Sequence, residues 1–199
     1  MILSIAILPG IVSGKQTTRQ IQTLLRQAGY RVVKDPAEAD IVLAHSAGCL
    51  WLPMVASQDQ ILVLVNPPYW PGRTVRERIR DRSRSNAQFY TYDIPLLAWI
   101  TRQCRGVYYA VRNPLRTRYI LQNIASYDLR ETVRGKRRII VVRNRHDDWL
   151  TPDLAELPQL NPNLMLVHIP GEHDDFNYHP QRYVRLLAAI ISNERRGKM

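Results

Sequence analysis

Three residues of this chain, Ser46, Asp147 and His173, have the side chains that together carry out acyl transfer. A serine hydroxyl is a poor nucleophile at neutral pH and needs a base beside it. A neutral imidazole can remove the hydroxyl proton and later deliver it to a leaving group. The imidazole in turn needs an anion that fixes its tautomer and stabilises its protonated form. Ser46 stands in Ala44-His45-Ser46-Ala47-Gly48, directly after the apolar run Ala39-Asp40-Ile41-Val42-Leu43. That pattern reads as a strand entering a sharp turn, with the serine at its tip and a helix beyond. Asp147, in Asn144-Arg145-His146-Asp147, and His173, in Pro170-Gly171-Glu172-His173, each follow a later apolar run. The chain order Ser, Asp, His is the one expected of this strand-turn-helix arrangement.

The elements that must position these groups are legible from apolar runs and their breakers. Leu3 to Leu8 has strand length and ends at Pro9-Gly10. Ile21, Leu24, Leu25 and Ala28 recur at helical spacing, and Gly29 is placed to stop that helix. Tyr30 to Val33 reads as a short strand broken by Asp35-Pro36, and Ile41 to Ala44 as the next. The segment after Ser46 should be helical, shortened or kinked by Pro53. Ile61 to Val65 is a strand closed by Asn66-Pro67-Pro68, Arg138 to Val142 is another, and Leu164 to Ile169 is the last. A final helix carries Tyr183, Leu186, Leu187 and Ile190 on one face, with Pro180 suited to its first turn. Near-continuous apolar strands separated by helices imply an α/β architecture with a parallel sheet covered on both faces. Right-handed crossovers put the loops after the strands, and so all three candidate groups, on one edge of that sheet.

Composition narrows the remaining classes. The 199 residues suit one domain, 45% are hydrophobic, and disorder is not expected. No apolar run approaches the roughly 20 residues that span a bilayer. The N-terminal Met1 to Leu8 lacks the basic start of a signal peptide and reads as a buried strand. Cys49 and Cys104 form neither a disulfide framework nor a metal cluster, which suits a reducing, cytoplasmic setting. The net charge of +11 reads first as a solvated arginine-rich surface, because no nucleic-acid module signature accompanies it.

The constellation resembles that of a small serine hydrolase of the α/β-hydrolase superfamily, most similar to the short retinoblastoma-binding-protein-9-like and YdeN-like members. The family's Gly-x-Ser-x-Gly corresponds to Ala44-His45-Ser46-Ala47-Gly48, its Gly-x-x-Asp loop to Asn144-Arg145-His146-Asp147, and its Gly-x-His loop to Gly171-Glu172-His173. Asn144 stands in for a glycine there, a mild departure, because asparagine is the non-glycine residue most tolerant of left-handed backbone angles. The resemblance implies about six mostly parallel strands flanked by helices, in a single domain over residues 1–199. It implies hydrolysis of a carboxylic ester or related acyl bond through an acyl-serine intermediate, without a cofactor. Its oxyanion hole would use the backbone amides of Ala47 and, in the loop after the first strand, Ile11. Between residues 69 and 135 the likeness is weak, and a small helical cap insertion is expected.

Other readings compete at particular residues. Asp148 is the rival acid to Asp147. Asp174 and Asp175 read as a turn or helix-start feature. His45 adjoins Ser46 but should point away from it and support the turn; His146, His168 and His179 read as structural or exposed. His146-Asp147-Asp148 and His173-Asp174-Asp175 with His179 could supply a hydrolytic metal, but their spacing matches no metal motif and leaves Ser46 idle, so no metal is expected. Cys49 reads as core. Tyr69 and Trp70, with the aromatic residues that follow, read either as walls for an apolar acyl or alcohol part of a small-molecule ester or as cap core. The basic stretch Arg73 to Arg84 reads as a salt-bridged helix, with weak binding of anionic polymers or surfaces as its alternative. The rival functions are therefore an inactive hydrolase-fold binding protein and a basic nucleic-acid or anionic-surface binder. The sequence leaves the oligomeric state open.

Overall fold

The computed structural model describes residues 2–10, 15–69, 77, 104, 107–135, 138–147, 154–171, 173 and 175–196. Six strands, β1 (Ser4–Leu8), β2 (Arg31–Val32), β3 (Ile41–His45), β4 (Ile61–Val65), β5 (Ile139–Asn144) and β6 (Leu164–Ile169), form one sheet in the order β2-β1-β3-β4-β5-β6. Every neighbouring pair is parallel. The helices are α1 (Lys15–Gln27), α2 (Leu52–Val55), α3 (Pro114–Ser126), α4 (Leu129–Val133), α5 (Leu157–Leu160), α6 (Asp175–Tyr178) and α7 (Pro180–Arg196).

Side chains alternate across each central strand, and the two sets feed two cores. Ile5, Ile41, Leu43, Val63, Val65, Ile140 and Val142 pack with Ile21 and Leu25 of α1 and with Tyr183, Val184, Leu187 and Ile191 of α7. Ala6, Val42, Ala44, Leu62, Leu64, Ile139 and Val141 pack with Cys49, Leu52, Leu129, Val133, Leu154 and Leu157 on the other face. Each fully buried aliphatic side chain of this kind contributes roughly 1.5–3 kcal/mol, so two-sided burial explains why these strands read as unbroken apolar runs. β6 departs from that expectation. It is an edge strand, and Met165 is 40% exposed.

Local signals act where the residue types place them. α1 ends in a Schellman motif: Tyr30 N–H donates to Leu25 O, Gly29 N–H donates to Arg26 O, and Gly29 takes φ +87°. Asp35 caps the short 3-10 turn Pro36–Glu38 by accepting from Ala37 N–H. Pro53 sits in the first turn of α2, where its missing N–H is harmless, and α2 follows a 3-10 turn over Ser46–Trp51. Most of the expected cap insertion and the whole basic stretch except Glu77 lie outside the described residues. Of what is described there, residues 107–112 are helical, and Tyr119 of α3 stacks on Trp51 with ring centroids 6.3 Å apart.

β1 is flanked by β2 on one side and β3 on the other, so the chain reverses its direction of growth across the sheet at β1. In open parallel sheets that reversal leaves a crevice beyond the strands' C-terminal ends. Ser46 is the first residue past β3, at that crevice.

Candidate active site

Ser46 has φ +52°, in the left-handed region that a non-glycine residue occupies only when its surroundings enforce it. The enforcing contacts come from two glycines. A β-carbon on Gly48 would meet Leu8 O and lie 2.7 Å from Leu8 C, so only glycine lets the turn after Ser46 press against the end of β1. A β-carbon on Gly10 would lie 3.0 Å from His45 Nδ1 and 3.2 Å from Ser46 Cβ, so the β1 loop runs hard against the serine. Ala44, where the resembled motif has its first glycine, is fully buried within β3.

The three candidate groups meet. His173 Nε2 lies 2.8 Å from Ser46 Oγ, and His173 Nδ1 lies 2.8 Å from Asp147 Oδ2. Because a carboxylate oxygen accepts, Nδ1 carries the proton, and in the neutral ring Nε2 is left to accept from the Ser46 hydroxyl. Asp147 and His173 are 1% and 5% exposed, while Ser46 is only half-buried. The acid and base are thus shielded and the hydroxyl can be reached.

Main-chain bonds join the acid and histidine loops, Arg145 N–H donating to Ile169 O and His146 N–H to Gly171 O, while Asp147 N–H donates to Asn144 O within the acid loop. Gly171 has φ +133°, and a β-carbon there would strike the Asp175 carboxyl at 2.8 Å. Asn144 does not use the left-handed tolerance of its residue type. It is the last residue of β5, and among the described non-glycine residues only Ser46 and Asn66 have positive φ. A side chain is wanted at 144 rather than a permissive backbone: Asn144 Nδ2 donates to Tyr183 Oη at 2.6 Å.

The remaining candidates are placed as follows. Ala47 is buried and opens the helical turn after Ser46, where first-turn amides lack intrahelical acceptors. Ile11, Trp70, Asp148 and Asp174 lie outside the described residues. Tyr69 is 2% exposed and packs in the core cluster with Cys49 and Leu154, the core role that was its alternative to lining a substrate wall. Burial pushes the Cys49 thiol up, so it stays protonated. His45 is buried, its ring stacks on His173 and Phe176, and its Nε2 lies 3.2 Å from His173 O. It therefore supports the histidine loop as well as the serine turn. Among the described residues, no group of three His, Cys, Asp or Glu side chains could hold a metal ion, and no helix is long and apolar enough to cross a membrane.

Three residues of the site carry roles that their sequence context does not show. Asn66, Tyr183 and Asp175 form buried hydrogen bonds around the histidine loop. Asn66 was visible only as a turn residue before two prolines, Tyr183 as one of a helix's apolar positions, and Asp175 as a helix start. None carries a local pattern that distinguishes these roles.

No family model and no curated protein matches the chain. Solved structures do. The chain superposes on a carboxylesterase structure from the thaumarchaeon Nitrososphaera gargenis with TM-score 0.63 and 13% identity, covering 96% of this chain and 90% of that one. A hydrolase from Pseudomonas aeruginosa gives TM-score 0.60 and 17% identity over 96% and 90%. An esterase from Pyrococcus furiosus gives 0.58 and 12% over 96% and 81%. At such identities the likeness is one of backbone alone, and with the parallel sheet and its strand order it establishes that the chain has the α/β-hydrolase fold.

Proposed function

We propose that this protein is a serine hydrolase that cleaves a carboxylic ester or related acyl bond through an acyl-Ser46 intermediate. The observation that carries the reading is the unbroken relay from Ser46 Oγ through His173 to Asp147, with both links at 2.8 Å. His173 Nε2 takes the hydroxyl proton as Oγ attacks the acyl carbon, and the same proton passes to the departing alcohol oxygen. Water, deprotonated by the same imidazole, then releases the acid and restores Ser46. Asp147 holds the ring's tautomer and stabilises the imidazolium formed at each step.

The developing oxyanion is assigned to the amide of Ala47 and, in the β1 loop, to that of Ile11. The close approach of Gly10 to Ser46 supports a donor from this loop. One such donor is worth about 3–4 kcal/mol of transition-state stabilisation. We further propose a small hydrolase like the short retinoblastoma-binding-protein-9-like and YdeN-like members, with a cap over roughly residues 69–135 that shapes the acyl site, Trp70 at its base, and a cytoplasmic setting in which Cys49 and Cys104 remain free thiols. That solved esterase structures share this backbone is consistent with ester substrates.

The test is hydrolysis of p-nitrophenyl esters of graded acyl length. Wild type turns over at least one of them, and Ser46→Ala lowers kcat/KM by about 10⁴-fold or more with its thermal unfolding unchanged. Equal turnover by both proteins excludes Ser46 as nucleophile.

A further inference from the structure

We infer that Asn66 is a positioning residue for the proposed base. It clamps the main chain of His173 from the end of β4, and its left-handed backbone is tolerated for that purpose. The inference rests on the reading of His173 as base.

The geometry of the amide is unambiguous. Asn66 Oδ1 accepts from Asn144 N–H at 2.8 Å, which leaves Nδ2 to donate to His173 O at 2.7 Å. Asn66 N–H itself donates to Val142 O at 2.9 Å. The residue is fully buried, and its φ is +46°. It also precedes Pro67, a position that disfavours helical backbone angles. Glycine would relax the backbone but has no amide to offer. Asparagine both visits left-handed angles more readily than most residues and supplies a donor and an acceptor in one plane.

His173 O receives a second bond. His45 Nε2 lies 3.2 Å from it, and since a carbonyl only accepts, Nε2 carries the His45 proton. The carbonyl of the proposed base is thus held by side chains from the ends of two strands, β3 and β4, while its ring spans Ser46 and Asp147. A third strand end contributes Asn144. Its Nδ2 donates to Tyr183 Oη, Tyr183 donates to Asp175 Oδ2 at 3.1 Å, and Arg182 donates to Asp175 Oδ2 and to Pro170 O, each at 2.8 Å. Burial, reinforced by the Asp175 charge, pushes the Tyr183 phenol up and keeps it a donor. The loop from Pro170 to Asp175 is therefore anchored on both sides of His173. Positioning of a reacting group to within about 1 Å is worth up to about 10²-fold in rate.

The experiment combines two readouts on wild type, Asn66→Gly and Ser46→Ala. One is the second-order rate of inactivation by a fluorophosphonate, which reports activation of the nucleophile. The other is the low-field proton resonance of His173 Nδ1, assigned by its loss in His173→Gln, which reports ring geometry whether or not the protein reacts. Asn66→Gly should stay folded, lose about 30- to 100-fold in inactivation rate, and shift or broaden the resonance. A rate within twofold of wild type together with an unmoved resonance overturns the inference. Should the glycine variant not fold, Asn66→Asp is the second variant. It is isosteric, but it turns an acceptor toward the carbonyl, and the same two outcomes decide. If wild type does not react with the probe, the hydrolase reading fails, yet the resonance still decides whether Asn66 sets His173.

Discussion

The two edges of the sheet both bury polar side chains, but only the C-terminal one brings a serine, a histidine and an aspartate into contact. At the N-terminal edge the buried Ser4 and Gln60 and the exposed Asp40 sit just before or at the starts of β1, β3 and β4. Ser4 N–H and Oγ both donate to Asp40 Oδ2 at 2.6 Å, and Gln60 Nε2 donates to Pro36 O and Ala39 O at 2.6 and 2.8 Å. These bonds end on main chain or on a neighbour that itself holds main chain. None of the three residues has positive φ. At the C-terminal edge two non-glycine residues are forced left-handed, and side chains bond side chains in a chain that ends at a half-exposed hydroxyl. Buried polarity closes loops at both edges. Strain and convergence on a reachable atom occur at one.

Substitutions at both edges test this contrast. The largest effect is expected of Asp147→Asn. It keeps the shape of the acid but presents the wrong hydrogen-bonding partner to Nδ1, and kcat/KM should fall about 10³- to 10⁴-fold with little change in stability. An effect below tenfold would give the acid's role to another residue. Next, Gly48→Ala forces a β-carbon onto the Leu8 carbonyl, and urea unfolding should show a loss of roughly 2–3 kcal/mol. Unchanged stability would mean that the turn is not pressed against β1. The smallest effect belongs to the other edge. Asp40→Asn should cost about 1 kcal/mol at pH 7 and leave kcat/KM unchanged.

That last loss carries a pH signature. Hydrogen bonds from the Ser4 hydroxyl and amide, more than offsetting partial burial, hold the Asp40 carboxyl below its ordinary value of 3.8. A carboxyl lowered by folding contributes stability that is fully present above its unfolded value and is lost as pH falls through the folded one. The gap between wild type and Asp40→Asn should therefore be constant from pH 5 to 7 and close below pH 3.8. A gap independent of pH would show that the amide loses packing instead.

The strands were legible because burial on both faces leaves unbroken apolar runs, as in Ile61 to Val65, and α1 was legible from its spacing and from Gly29. The three groups of the relay were legible because each follows such a run and their residue types have few other reasons to appear there in that order. The clamp was not. Asn66 touches His173 across 107 positions of chain and Asn144 across 78, so its role exists only after the sheet has formed. The role of the Asn144 side chain is hidden for the same reason. The residue stands where a related motif has glycine, but in this chain Tyr183, brought over by α7, gives its side chain a partner.

In the proposed mechanism the imidazole beside Ser46 makes it nucleophilic, and mass spectrometry of the protein after exposure to a fluorophosphonate reads this out at the residue itself. One phosphonyl group per chain is expected, mapped to the peptide containing Ser46 and absent from Ser46→Ala and His173→Gln. A folded wild-type protein that takes up no label, or takes it up at another residue and equally in Ser46→Ala, would contradict it.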